Sequence, residues 1–255
     1  MYLSPLESFS ILNIIGITSP LLNIDYQITN NSLFLIISLV LLLILMMPNN
    51  SLSPLGIGNK IIPSNVSIMS ESLWASGLTM ARNSANNQAY LPLILSLFGT
   101  ILLSNVISNV PYSYASASSL SFSLGLSVTI FIAVTALALN LKGITFWSTF
   151  VPASAPLALV PLLIVIELIS YLARALSLGI RLFANLVAGH TLTHIVSSMS
   201  VKILLSGVIG AFVFIVPMIL LIMLTGLELA VALIQAYVFV VLASIYINEA
   251  QTALA

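Results

Sequence analysis

"LSLGIRLFANLVAGHTLTH", Leu176–His194, is apolar enough to sit in lipid, yet it carries Arg181, Asn185, His190 and His194. Its surroundings decide what kind of chain can hold such a segment. Of 255 residues, 60% are hydrophobic and 5% charged, with a mean hydropathy of +1.20. A soluble domain averages about 25% charged residues, so the sequence is that of an integral membrane protein. Six Lys/Arg balance six Asp/Glu, which excludes a basic nucleic-acid face and a polybasic lipid anchor. The absence of cysteine excludes a disulfide framework, a thiolate metal site and a thiol nucleophile.

The opening, "MYLSPLESFSILNIIGITSPLLNIDYQ", has neither the basic start and small-residue cleavage site of a secretory signal nor the arginines of a transit peptide. Such a chain is inserted co-translationally in a bacterium or made inside the organelle that uses it. Residues 1–255 are read as one membrane domain. Residues 33–47 form a first apolar run between "TNNS" and "PNNSLSP", near the length of a transmembrane span. Residues 48–88 are polar and carry Lys60, Glu71 and Arg82; within them Val66, Met69, Leu73, Trp74, Leu78 and Met80 recur at helical spacing, which suits an interfacial helix. Residues 90–141 form a hairpin of two spans around the Pro- and Ser-rich turn "PYSYASASS".

Lys60, Arg82 and Lys142 fall on one face of the membrane by this count, while the other receives Glu7 and Asp25. The positive-inside rule therefore puts the amino terminus outside. After "FVPASAPLALVP" come two longer apolar blocks, Leu162–Met199 and Val201–Ala250, joined near Ser200–Lys202. A 40-residue helix is about 60 Å long, twice the hydrocarbon thickness of about 30 Å. Each block is therefore a broken pair of spans or one tilted helix. Gly179 and Gly189, the only breakers in the first, lack neighbouring turn residues, and Pro217 in the second is expected to kink a helix without ending it. Tilted helices over residues 156–250 are the reading adopted.

Polar residues in these blocks recur in register. Glu167, Arg174 and Arg181 are each seven residues apart, about 20° short of two full turns, and so lie along one stripe. Asn185 stays near it. His190 faces the opposite side, and His194 follows one turn later. In the second block Glu228, Gln235, Tyr246 and Glu249 make a second, slowly drifting stripe. An arginine at the bilayer centre costs about 3 kcal/mol on insertion scales, so an intramembrane charge points to function. Arg174 has bland alternatives: snorkelling to the interface, or pairing with Glu167. Arg181 has no acid at i±3 or i±4. It cannot deprotonate and so acts as a fixed positive potential, whereas Glu167, His190, His194, Glu228 and Glu249 can gain and lose protons. A fixed cation with titratable flanks describes a divided proton path.

His190 and His194 also have the spacing of a metal-ligating pair, with Glu228 a candidate third ligand, a weaker reading than a proton relay. "HTLTH" lacks the glutamate of zinc proteases. A proton-coupled secondary transporter or antiporter would also bury such residues, but no internal repeat or paired broken helices stand out.

"ELISYLARALSLGIRLFANLVAGH" and "TGLELAVALIQAYVFVVLASIYINEA" closely resemble the last two helices of subunit a of the F-type ATP synthases, called subunit 6 in mitochondria. "SPLESF", "NVPYSYA" and "VPASAPLALVPLLIVIELIS" extend the resemblance over nearly the whole chain. It implies an all-α integral membrane protein with an N-terminal transmembrane helix, an interfacial helix, a hairpin and two long tilted helices. It further implies a stator subunit that is not catalytic alone, facing a c-ring of rotor subunits and partnered by the peripheral stalk, other Fo subunits and lipids. No cofactor is implied, and the location is the mitochondrial inner membrane, with the amino terminus in the intermembrane space. Arg181 matches the family's essential arginine and Arg174 an accompanying one; Asn185 and Gln235 match polar residues flanking the arginine. Glu167 matches a carboxylate of the inner half-channel, and His190, Glu228 and Glu249 the outer one, while His194 is not a general family feature. Ser4 is similar to the mature end of forms whose leader is removed.

Overall fold

A computed structural model describes residues 9–19, 24–46, 65–81, 90–110, 113–150 and 159–252. Glu7, Lys60, Arg82, Ser4, residues 48–64, 82–89 and 156–158 lie outside the described residues, as does the side chain of Asp25. The described elements are strands β1 (Asn13–Ser19) and β2 (Ile24–Thr29), then helices α1 (Asn30–Met46), α2 (Asn65–Ala81), α3 (Leu91–Ser108), α4 (Leu120–Lys142), α5 (Val160–Leu204), α6 (Val208–Val213) and α7 (Ile215–Thr252). Short 3₁₀ turns occupy Ser116–Ser118 and Gly143–Phe150. Helices α3, α4, α5 and α7 are long and apolar enough to cross a membrane, and α1 is a shorter apolar helix. This is an all-α membrane architecture with one small sheet.

That sheet was not foreseen. β1 and β2 pair antiparallel, with Gly16 opposite Gln27 and Thr18 opposite Asp25, and an irregularity between Asn13 and Ile15. Ile14 and Ile15 give β1 β-branched side chains that suit a pleated backbone.

Each long apolar block contains one dominant helix. α5 runs unbroken for 45 residues, about 67 Å at 1.5 Å per residue. Pro161 stands in its first turn, where a missing N–H costs nothing. The junction between blocks lies later than expected, at Gly207 rather than Ser200–Lys202. Gly207 has φ 113°, the left-handed region where only glycine is comfortable. Pro217 also does more than kink: α6 ends at Val213, four residues before it, and α7 starts at Ile215. Without an N–H, Pro217 cannot bond the Val213 carbonyl, and its ring crowds that group. The helical direction nonetheless continues, through Phe214 N–H to the Gly210 carbonyl at 2.8 Å and Met218 N–H to the Phe214 carbonyl at 3.2 Å.

The core lies where α3, α5 and α7 meet. Ile94, Phe98 and Ile101 of α3 pack with Leu178, Leu182 and Leu186 of α5 and with Ala236, Phe239, Val240 and Ala243 of α7. The three leucines, four residues apart, fix one face of α5 inward. Arg181 and Asn185, each one residue before a buried leucine, are thereby turned outward and are exposed.

α4 approaches α5 at Gly179. A Cβ there would stand 2.9 Å from the Ser123 carbonyl oxygen and 2.5 Å from Ser127 Oγ, whereas one on Gly125 of α4 would meet nothing within 4 Å. Gly179→Val is expected to destabilise by about 1–3 kcal/mol through overpacking, lowering the midpoint of heat-induced loss of the assembled protein, while Gly125→Val has a much smaller effect. Equal effects would contradict the close approach.

Candidate functional site

α5 and α7 pack against each other along much of their length, antiparallel, with small residues at the seam. Ala232, Ala236 and Ala243 are almost completely buried. At mid-length Asn185 Nδ2 donates to Gln235 Oε1 at 3.0 Å, and Gln235 is buried. The two amides thus join the polar tracks of both helices. Arg181 lies one turn from this bridge along α5 and is exposed, and among the described residues no carboxylate is within ion-pair distance of it.

Toward the C-terminal end of α5 the tracks bring Glu228 onto Gly189. A Cβ on Gly189 would lie 3.1 Å from Glu228 Cγ and Oε1, so glycine at this position leaves room for the carboxyl to rest on the α5 backbone. The Thr193 hydroxyl, which donates to the His190 carbonyl at 3.0 Å, lies beside the same carboxyl. His190 Nε2 and Glu228 Oε1 are both buried with no hydrogen-bond partner among the described residues. Such orphaned atoms are costly unless water or a moving proton serves them. Phe9 stands against the His190 ring, edge to face, with centroids 6.3 Å apart.

The other end is built differently. Arg174 Nη1 donates to Glu249 Oε2 at 3.0 Å, and its guanidinium lies 5.8 Å from the centre of the Tyr246 ring, a cation-π distance. These residues border a cavity of about 270 Å³, lined also by Lys142, Glu167 and Tyr171. Aromatic rings of Phe131, Phe146 and Phe150 cluster about Tyr171.

Two expectations are corrected by this geometry. Arg174 pairs with Glu249, not with Glu167. Glu249 is separated from His190 and Glu228: it lies 21 residues beyond Glu228, about 31 Å along one helix. Its seven-residue companions made a continuous stripe on α7, but a stripe runs the length of a helix and does not say which residues share a site. His194 is exposed, and among the described residues no three His, Cys, Asp or Glu gather closely enough to hold a metal ion. The sequence assigned no site role to Gly189, Thr193, Phe9 or Asn105. Asn105 of α3 is fully buried and donates to the Ala232 carbonyl at 3.2 Å; as an amide inside an apolar run it carried a signal of its own.

A family model described as "ATP synthase A chain" matches residues 32–248. The chain belongs to that family. It is 43% identical to "ATP synthase subunit a" of Emericella nidulans over 251 residues, 97% of this chain and 95% of the relative. Against the subunit of Mycosarcoma maydis the identity is 46%, covering 97% and 96%, and against that of the alga Chondrus crispus it is 40%, covering 96% and 95%. Membership makes the chain a membrane subunit of the proton-translocating part of an ATP synthase, and its place in the enzyme implies other synthase subunits as partners.

The Arg174–Glu249 bridge has side chains 37% and 56% exposed. A double-mutant cycle with Arg174→Gln and Glu249→Gln, read from thermal stability, is expected to give a coupling below about 1 kcal/mol. A larger value would mean that the pair is desolvated in the assembled enzyme.

Proposed function

We propose that the chain forms the stationary side of the proton motor, offering two offset aqueous half-channels to a c-ring whose subunits each present one membrane carboxylate. The observation that carries this reading is the exposed Arg181, without an ion-pair partner among the described residues and flanked along the same helix pair by one polar cluster toward each end. A permanent cation on an outward surface at membrane depth calls for an acid supplied by another subunit. Protons arrive through His190 and Glu228, with His194 further along α5, and neutralise a rotor carboxylate. The neutral acid can then turn through lipid. Near the end of its turn it meets the second cluster and releases its proton past Glu167 into the cavity beside Arg174 and Glu249. The resemblance put Glu249 on the outer path; its bridge to Arg174 supports an inner position.

Arg181 holds the rotor acid ionised between the two paths and repels hydronium. A guanidinium keeps its proton, so Arg181 never becomes a proton carrier. Each charge that leaked across 100 mV would lose about 2.3 kcal/mol of drive. Asn185 and Gln235 hold the helices in register beside the arginine. Helices as long as α5 and α7 fit a bilayer only when tilted, and tilt lets one pair reach around a ring. The fungal relatives favour the mitochondrial inner membrane, and the positive-inside pattern favours an amino terminus in the intermembrane space. The peripheral stalk would hold the subunit against rotor torque.

Arg181→Ala in the reconstituted enzyme is expected to abolish proton-driven ATP synthesis while hydrolysis at the soluble head persists without proton pumping. Preserved synthesis would refute the role of Arg181. His190→Ala is expected to slow synthesis and alter its dependence on outer-side pH; an unchanged profile removes His190 from the path.

A further inference from the structure

Phe9 is far from α5 in sequence, yet the fold delivers it to His190 and holds it there. Its carbonyl accepts a hydrogen bond from the buried Tyr114 hydroxyl at 3.3 Å. Ser10, next in the chain, gives its carbonyl to Asn30 Nδ2 at 3.1 Å. Leu12 N–H donates to Asn30 Oδ1 at 3.2 Å, and Asn30 N–H returns a bond to the Leu12 carbonyl at 3.0 Å. The β1–β2 pair then fixes both ends of this clamp, because β2 leads directly into α1 at Asn30. A segment held at residues 9, 10 and 12 has little freedom to move its side chain elsewhere.

What the clamp delivers is one ring, set edge to face on the imidazole at an interplanar angle of 61°. Offset and T-shaped ring pairs are orientationally selective. The His190 Nε2 atom is meanwhile buried without a partner among the described residues, as is Glu228 Oε1, which rests on the neighbouring Gly189. A rotated imidazole would change which groups Nε2 can serve. We infer that Phe9 is a positioning residue for proton transfer, holding the His190 ring so that its inner nitrogen stays buried on the Glu228 side. The inference rests on the reading of His190 as part of the outer path.

The test uses the assembled enzyme in its membrane. Among described side chains, the titratable groups on the elements around His190 are Glu228 of α7, which rests on the adjacent Gly189, Tyr114, which is bonded to the Phe9 carbonyl, and His194, one turn along α5. Phe9→Ala is expected to slow proton-driven synthesis by about two- to ten-fold, the scale of losing one oriented ring pair. It should also alter the outer-side pH profile in the same way as His190→Ala. Assembly and head hydrolysis are expected to stay at wild-type levels. In the His190→Ala background, Phe9→Ala should change nothing further, since a residue acting only through another has no effect once that other is gone. Phe9→Tyr, which keeps the ring, should restore synthesis and profile, while Phe9→Leu should not.

Additive losses in the double variant, or full activity with Phe9→Leu, would overturn the inference, because bulk alone would then suffice. An effect of His190→Ala with none of Phe9→Ala would also defeat it and leave the proposed proton path standing. If His190→Ala itself leaves synthesis and pH response untouched, the placement of His190 in the path fails, and the role of Phe9 fails with it.

Discussion

A guanidinium that stays protonated at every accessible pH must find negative charge or water, and Arg181 finds neither a carboxylate among the described residues of its own chain nor burial in its core. The core makes that outcome unavoidable. Leu178, Leu182 and Leu186 commit one face of α5 to α3 and α7, and a helix turning about 100° per residue must then present residue 181 elsewhere. The apolar packing that stabilises the bundle is thus also what aims the charge outward. Moving Arg181 one position forward, to that of the fully buried Leu182, would place its charge in the apolar core.

The α5–α7 seam carries this constraint along both helices. As the α5 position falls from Gly189 through Asn185 to Arg174, its α7 partner rises from Glu228 through Gln235 to Glu249. One antiparallel register therefore explains three polar contacts. Buried alanines at 232, 236 and 243 let the helices come close enough for these contacts to be direct. The Asn185–Gln235 bond sits between the other two and resists sliding. A slip of one turn, about 5.4 Å, would part all three pairs together.

Much of this was legible in the sequence. Apolar runs and their polar interruptions located the long helices, and the seven-residue spacing of Glu167, Arg174 and Arg181 identified one stripe, because helical periodicity is a property of the local chain. What could not be read was which residues on different elements meet. The partner of Arg174, the distance of Glu249 from Glu228, and the approach of Phe9 to His190 all depend on helix register and on a turn near Gly207. Those are set by packing across the whole bundle. The strands Asn13–Ser19 and Ile24–Thr29 were illegible for another reason: short apolar runs with little period-2 alternation do not distinguish strand from helix.

The two ends of the polar track are chemically unequal, and that inequality bears on direction. At one end His190 and Glu228 each keep a buried atom without a partner among the described residues, so on the proposed mechanism a proton arriving there satisfies a group that is otherwise unserved. At the other, Glu249 is already joined to Arg174, which also faces the Tyr246 ring. Protonating Glu249 would sacrifice that bridge. Glu167 borders the same cavity, is exposed, and makes no ion pair among the described residues. On the proposed mechanism it is therefore the better acceptor for protons leaving the rotor. The Arg174–Glu249 pair then serves as a fixed wall of the exit, keeping a second cation beside the path without offering a competing base.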